Sequence, residues 1–379
     1  MKTTGDTYYH SSARIDLEAL DYNLKQIKKI VSNKVKVLAT VKANAYGHGI
    51  TGISKFLEDK VDYLGVAFVE EGVKIRKGGV KTPVLILGNT LAAGLPEAVD
   101  FDLTVTLTEK KTAYILEDLA ASKGRKVKVQ IKIDTGMGRI GFWYKDALKD
   151  IMEIHGLKRL EIEGIYTHLS SAGGDEDFTR EQLKRFNGFI EEAGRKGIEA
   201  PLYHAANSLA TLRYKESHFN LVRPGLILYG VYPSANLEGA IKVRPVLSFT
   251  AKVVYVKEVE AGRSVSYDRS YIAEKRMKVA TVSAGYADGY SHLLTHKAKI
   301  LINGRFAPVI GKICMDHIMA DVSHIKEVKI GDEAVLIGRD NNKEITAEEL
   351  ARMTGTIPYE TLCRIGERVK RIYLNGKTD

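Results

Sequence analysis

The 379-residue chain reads as an α/β protein, an N-terminal (β/α)8 barrel of the TIM type followed by a C-terminal, mainly β domain. Three observations carry this reading. From residue 14 to about 230, short β-rich runs alternate with helical stretches, the pattern of parallel strands joined by crossover helices. Eight strand candidates fit in that span, the number that a closed barrel needs at this length. Beyond about residue 245 the texture changes to alternating strands. The expected domains are 14–244 for the barrel and 245–379, joined by 1–13, for the β-rich part.

In chain order, Asp16 to Val31 repeats Leu17, Leu20, Leu24, Ile27 and Val31 at helical spacing, which predicts a helix covering the barrel bottom or side. The first barrel strand is Val35–Val41. The others lie near Tyr63–Phe68, Val84–Leu87, Leu103–Thr106, Val127–Ile133, Ile162–Thr167, Leu202–Ala205 and Asn220–Val222. In the second domain Leu247–Val256, Lys278–Val282 and Lys299–Ile302 alternate as strands do. Asn303-Gly304 predicts a tight hairpin turn, and Thr346-Ala-Glu-Glu349 has the spacing of a helix capping box before Leu350 and Met353. No internal repeat or low-complexity segment is evident.

Composition excludes several classes. Apolar residues make up 44% of the chain, enough for ordinary globular cores and too many for a disordered or fibrous protein. The first ten residues carry no apolar core or small-residue cleavage site, and nowhere do eighteen apolar residues run together, so the expected setting is the cytoplasm, with no membrane partner. Cys314 and Cys363 are too few for a disulfide framework and lack the paired spacing of a zinc site, which leaves free thiols. The net charge of +10 permits a nucleic-acid reading, but lysines such as Lys25, Lys28, Lys29, Lys34 and Lys36 interleave with apolar positions and no aromatic-basic RNA motif occurs. No nucleic-acid partner is expected. A basic surface would instead help gather anionic or zwitterionic small molecules.

Lys42, in the run Val41-Lys-Ala-Asn-Ala-Tyr46-Gly-His-Gly49, closes a β-branched strand and precedes a loop poised to open a helix. A lysine there can hold a cofactor covalently. The glycines after Tyr46 would let backbone amides approach a phosphate at the next helix N-terminus. A nucleotide P-loop is excluded, because its glycines precede the lysine and Ser/Thr follows. Lys42, Arg139, His168, Ser208 and Arg223 all fall at or just after predicted strand ends, the face on which such barrels gather their active groups. A metal-dependent barrel hydrolase using His48, Asp134, His168 and His204 is the competing reading. It lacks paired metal-ligand spacing and leaves Lys42 without a role.

The Lys42 run resembles the pyridoxal-phosphate signature of the alanine racemases. Asp134-Thr-Gly-Met-Gly-Arg139-Ile-Gly, Thr167-His168, His204-Ala-Ala-Asn207-Ser208, Arg223-Pro-Gly225, Val265-Ser-Tyr267, Gly285-Tyr286-Ala-Asp-Gly289, Cys314-Met-Asp316 and Ile357-Pro-Tyr359-Glu360 follow in the order that family uses. The resemblance implies interconversion of L- and D-alanine with pyridoxal 5'-phosphate, a homodimer with shared active sites, and a supply of D-alanine for bacterial cell-wall peptidoglycan.

By the same resemblance Lys42 forms the imine with the cofactor. Tyr46, Ser208, Tyr359 and the backbone at Gly225 and Leu226 hold the phosphate, His168 and Asn207 belong to the cofactor site, and Arg223 faces the pyridine nitrogen. A guanidinium can only donate, so it cannot take the ring proton as a carboxylate would, and side reactions such as transamination are discouraged. Racemisation needs proton exchange on both faces of the α-carbon. Lys42 serves one face and Tyr267, delivered from the second domain of the other subunit, serves the opposite one. Lowering a phenol from pKa ~10 by about two units takes ~2.7 kcal/mol, which a hydrogen-bond chain through His168 to Arg223 would supply.

Arg139 is implied to approach the cofactor phenolic oxygen and the substrate carboxylate, with the Met315 amide of the partner subunit on that carboxylate. Lys132, carbamylated in many relatives, would orient Arg139 as an anion, whereas an ammonium would repel it. The competing reading is a lysine whose tip snorkels to solvent. Three positions depart from the commonest family pattern: Asp268 for glycine, His292 for arginine and His317 for glutamine. They leave the cofactor residues intact but open substrate breadth to serine or a longer amino acid. Arg223 argues against a decarboxylase of the same barrel class, and Tyr267 in a full second domain argues against a non-catalytic pyridoxal-phosphate carrier, which is a single barrel.

Overall fold

The computed structural model describes residues 9–234 and 239–376. Strand β1 (Ser11–Asp16) leads directly into a helix at Leu17–Ile30, started by the Asp16 carboxylate, which accepts from the amides of Glu18 and Ala19 at 3.0 and 3.1 Å. That helix buries Leu17, Leu20, Leu24 and Ile27, each contributing about 1.5–3 kcal/mol of hydrophobic stabilisation. Its buried Asn23 donates to the carbonyls of Leu228 and Arg244 at 3.1 and 2.8 Å, locking the helix to the chain that leaves the last barrel strand.

The barrel strands are β2 (Lys36–Thr40), β3 (Tyr63–Val66), β4 (Val84–Ile86), β5 (Thr104–Leu107), β6 (Val127–Asp134) with the short β7 (Phe142–Trp143) beside its end, β8 (Leu160–Tyr166), β9 (Leu202–His204) and β10 (Leu221–Val222). They run parallel in the order β10-β2-β3-β4-β5-β6-β8-β9. Around the short β10 the ring closes through single bonds: the Asn220 amide donates to Tyr203 O at 3.3 Å and the Arg223 amide to Ala206 O at 2.9 Å. The eight-stranded barrel expected from the sequence is therefore present, its strand ends differing from the expected ones by a residue or two.

The second domain contains β11 (Leu247–Val259), the β12–β13 ribbon (Ser264–Val265 and Tyr271–Ile272), β14 (Met277–Val282), β15 (Lys299–Ile302), β16 (Arg305–Pro308), β17 (Ile318–Asp321), β18 (Glu333–Asp340), β19 (Lys343–Ile345) and β20 (Lys370–Leu374). β1 lies between β11, antiparallel to it, and β20, parallel to it. No strand is expected there from the residues alone, because Ser-Ser-Ala is a weak strand former. What decides it is alternation: Ala13 and Ile15 are buried, while Arg14 reaches Glu333 with a two-toothed contact of 2.6 and 2.7 Å.

The Asn303-Gly304 turn joins β15 to β16 with both residues at positive φ, 50° and 71°. Of the expected capping box only the Thr346 half forms, accepting from Glu349 N at 3.0 Å. The Glu349 carboxylate lies 3.5 Å from Lys299.

Candidate active site

At the C-terminal ends of the barrel strands lies a cleft of about 500 Å³. Lys42, Tyr46, Lys132, Arg139, His168, Asn207, Ser208, Arg223, Gly225 and Tyr359, scattered over three hundred positions of sequence, all line it. The parallel strands accomplish this for the barrel residues by ending on one face, and the helix Pro358–Cys363 of the second domain brings in Tyr359.

Lys42 stands just past β2, and the backbone after it does something the sequence concealed. Ala43, Asn44, Ala45 and Tyr46 all have φ between 52° and 54°, a left-handed turn without a glycine. Such geometry costs about 1–2 kcal/mol per residue and persists only when over-determined. Here the Glu71 carboxylate accepts from Ala43 N at 2.6 Å and Ala67 N at 2.7 Å, and Asn44 Oδ1 accepts from Ile50 N at 2.9 Å. Beyond the turn, Arg371 of β20 donates through Nε and Nη2 to Gly47 O at 3.0 and 2.9 Å. Burial and the Arg139 cation lower the Lys42 pKa, which enriches the neutral, nucleophilic amine.

The glycines after Tyr46 serve a different end from the phosphate approach expected. A Cβ on Gly47 would fall 2.2 Å from Leu362 O, and on Gly49 2.1 Å from the Tyr373 hydroxyl, so they admit the second domain against the barrel. The cradle lies across the cleft. A Cβ on Gly225 would meet the Tyr46 hydroxyl at 2.5 Å and Ser208 Oγ at 3.7 Å, and the Gly225 amide donates to Ser208 Oγ at 2.8 Å. Two hydroxyls and a backbone amide thus converge at Gly225, donor chemistry of the kind that a phosphate takes. Leu226, fully buried, follows it, while Tyr359 packs 5.9 Å from the Tyr46 ring. Asn207 does structural duty here: its Oδ1 accepts from Ala210 N at 3.0 Å, starting the helix Ser208–Arg213 that presents Ser208.

Arg223 is 4% exposed and held from several sides. Nη2 donates to the carbonyls of Thr167 and Ala205 at 2.9 and 3.0 Å and to His168 Nδ1 at 3.4 Å, and Nη1 donates to His204 Nδ1 at 2.6 Å. Burial draws its pKa down to about 10, so it remains a cation near neutrality. Burial and the surrounding cations, Arg223 first, push the His168 pKa well below the usual imidazole value. His168 is thus neutral near neutrality of the medium, and it lines the cleft.

Lys132 is 4% exposed, so its tip does not snorkel to solvent. Burial, Arg139 and Arg223 bring its pKa down to about 7. Arg139 itself follows a loop organised by Asp134, whose carboxylate accepts from the amides of Gly136, Met137 and Gly138 at 2.9–3.1 Å.

Tyr267 and Met315 do not line this cleft. They are 67% and 52% exposed, carried by the second domain. Ser266, just before Tyr267, has φ 72° and ψ −177°, a conformation ordinarily left to glycine, and is pinned by its hydroxyl donating to Lys312 O at 2.6 Å. Asp268 also has positive φ, 55°, and pairs with Lys312, so the aspartate tolerates a backbone that suits glycine. His292 packs edge-on to Tyr286 and His317 closes a turn by accepting from Cys314 N at 2.9 Å.

The competing metal constellation does not assemble. His48 is buried against Tyr229, Asp134 organises its loop, and His204 lies between Arg223 and Gln130; among the described residues no cluster of three or more His, Cys, Asp or Glu side chains could hold a metal ion. Sequence reading missed Glu71 and Arg371, which reveal themselves only through backbone contacts, and Tyr166. That tyrosine ends β8 two residues before His168, a placement that could have flagged it. Its ring stacks on His204 at 4.7 Å and lies under the Arg223 guanidinium at 5.2 Å.

Comparison with known proteins adds a consistent set of likenesses. Residues 15–233 match the family model described as alanine racemase, N-terminal domain, and residues 246–373 the one described as alanine racemase, C-terminal domain. The chain is 42% identical over 363 residues to alanine racemase 2 of Caldanaerobacter subterraneus subsp. tengcongensis, covering 95% of this chain and 94% of that one. It is 42% identical over 369 residues to the alanine racemase of Geobacter sulfurreducens, covering 96% and 97%. Among solved structures, the alanine racemase of Clostridium difficile superposes with a TM-score of 0.92 at 36% identity, covering 96% of each chain. That of Bacillus anthracis with bound L-Ala-P gives 0.92 at 33% identity, covering 97% and 96%.

Proposed function

This chain belongs to the alanine racemase family and is an isomerase acting on an amino acid; from that premise we propose that it interconverts L- and D-alanine on pyridoxal 5'-phosphate, with two bases supplied by two copies of the chain. The carrying observation is that one chain gathers Lys42, Arg223 and the Tyr46–Ser208–Gly225 cradle in a single cleft, yet leaves Tyr267 exposed outside it.

The residues fit the cofactor. The cradle and the Leu226 amide would take its phosphate, Tyr359 would pack beside it, Arg223 would donate to its ring nitrogen and Lys42 would hold it covalently. When bound, the cofactor acidifies the α-proton of the amino acid attached to it. Lys42, freed when the substrate amine takes its place on the cofactor, has a depressed pKa and takes or returns that proton on one face. Arg139 binds the substrate carboxylate. On the other face the partner copy's Tyr267 exchanges the proton, its phenolate stabilised through neutral His168 to the Arg223 cation, and the partner's Met315 amide helps fix the carboxylate. Because Arg223 can only donate, it offers no acceptor for a proton on the ring nitrogen, which would disfavour side reactions relative to reprotonation at the α-carbon.

Two further readings rest on the family. D-alanine would feed cell-wall peptidoglycan, and the working compartment would be the cytoplasm; no helix among the described residues is long and apolar enough to cross a membrane.

The test is a panel of L-amino acids with added pyridoxal phosphate, read by chiral chromatography, together with borohydride reduction and peptide mapping. Alanine should racemise in both directions faster than serine or lysine, and the reduced cofactor should sit on Lys42. A preference for a basic amino acid would overturn the substrate, with Asp268 and His292 the first suspects. Mapping to another lysine would overturn the site.

A further inference from the structure

A line of polar groups runs from the cleft into the barrel interior, where parallel barrels ordinarily stack branched apolar side chains. Arg223 Nη1 lies 2.6 Å from His204 Nδ1, His204 Nε2 lies 2.8 Å from Gln130 Oε1, and Gln130 Nε2 donates to Glu163 Oε2 at 3.4 Å. Glu163 also accepts from Thr104 Oγ1 at 3.4 Å, and its other oxygen is 3.3 Å from the half-exposed Lys128 ammonium. His204 and Gln130 are fully buried.

The direction of every bond is forced from its two ends. A guanidinium can only donate, so His204 Nδ1 must be the acceptor and bears no proton. A neutral imidazole then carries its proton on Nε2, which donates to the Gln130 carbonyl oxygen. That orients the Gln130 amide with its nitrogen toward Glu163, and an ionised carboxylate can only accept. We propose that Gln130 and Glu163 are positioning residues that fix His204 as the Nε2–H tautomer, and through it fix Arg223 as a donor toward the cofactor ring.

The neighbouring geometry is built for this. Tyr166 stacks on His204 with ring planes 5° apart, which sets the imidazole plane. Gly164 lies opposite Gln130 on β8, and a Cβ there would come within 3.0–3.1 Å of the Gln130 amide, so the glycine makes room for the side chain to reach both partners. The amide at 130 also matters chemically. It passes on polarity without carrying a proton, so the line is not a proton wire. A carboxylate in its place would draw a second proton onto His204 and set a buried imidazolium against Arg223. Burial and Arg223 already hold His204 neutral.

The functional part of this inference rests on Arg223 facing the cofactor ring, whereas the tautomer does not, so the two can fail separately. The direct measurement is nitrogen-15 NMR of histidine-labelled holoenzyme, with His204 assigned by the signal lost in His204→Gln. From about pH 5 to 8, where an unconstrained histidine changes charge, the proton should stay on Nε2 with Nδ1 bare. A proton on Nδ1, or an imidazolium in that window, would overturn the network. The second arm is Gln130→Leu, expected to lower kcat about tenfold with KM for alanine little changed. If that variant only melts earlier and kcat is retained, the side chain merely packs and the positioning role is wrong.

Discussion

Lys132 shows how strongly one side chain's chemistry depends on what the fold puts beside it. Its pKa falls from 10.5 to about 7 through burial first and the Arg139 and Arg223 cations second, so near neutrality a large share is free amine. A free amine can attack carbon dioxide, losing one proton and becoming an N-carboxylate, and an anion there would relieve the crowding of cations and orient Arg139. We expect carbon-13 bicarbonate to label this residue, the label fading as pH drops below about 7 and the amine protonates. The stability sign follows from linkage. The unmodified folded state binds fewer protons than the unfolded chain between pH ~7 and the unfolded lysine value of 10.5, so stability should rise with pH across that window. Bicarbonate should therefore raise Tm at neutral pH in the wild type and leave Lys132→Met unchanged; equal shifts in both would refute a carbamate. Much of this residue was legible early, since its place between Ile131 and Ile133 put it on the opposite face of the strand. Whether that face led to solvent was not, because burial of a lysine depends on which loops close over it.

At the scale of an element, the turn after Lys42 is the clearest gap between sequence and structure. Its motif identified the lysine, but Ala-Asn-Ala-Tyr carries no glycine to announce a left-handed path, and beside the local Asn44–Ile50 bond its restraints come from Glu71 and Arg371, distant in the chain. Long-range bonds to backbone atoms leave no periodic signature, whereas the strands of the barrel do. The strain is testable. Ala43 is exposed and packs little, so Ala43→Gly should stabilise the protein by up to ~1 kcal/mol by removing the Cβ penalty, opposite to the loss of about the same size that glycine brings in a right-handed helix. A lower Tm would contradict the strain argument. Arg371→Ala should remove a charged clamp that reaches Gly47 O as well as Gly366, Val369 and Ile365 carbonyls, destabilising by about 2–4 kcal/mol. Cofactor retention on Lys42 should weaken in step; unaltered retention would mean that the turn keeps its shape without the second domain.

At the scale of the whole molecule the argument turns on where Tyr267 is. The second domain presents it 67% exposed, beside the strained Ser266 and the Asp268–Lys312 pair, an unusual setting for a residue that does nothing. In one chain the cleft holds Lys42 but not Tyr267. Two copies would make two composite sites, each joining Lys42 of one to Tyr267 of the other. Tyr267→Phe should then slow α-proton exchange from one enantiomer far more than from the other, since a positioned acid-base group contributes 10²–10⁴-fold as a typical order of magnitude. Deuterium washout from L- and D-alanine reads that asymmetry. Mixing Lys42→Ala with Tyr267→Phe gives the sharper result. Each variant alone lacks a base in every site, but in a mixed pair one composite site has lost both bases and the other has both intact. Random exchange of equal amounts makes half of the dimers mixed, and half of the sites in those are whole, so activity should return to about a quarter of wild type per site for a functional group of this weight. Should subunit exchange be verified by mass and no activity return, both bases must come from one chain, and a large movement of the second domain would have to bring Tyr267 into its own cleft.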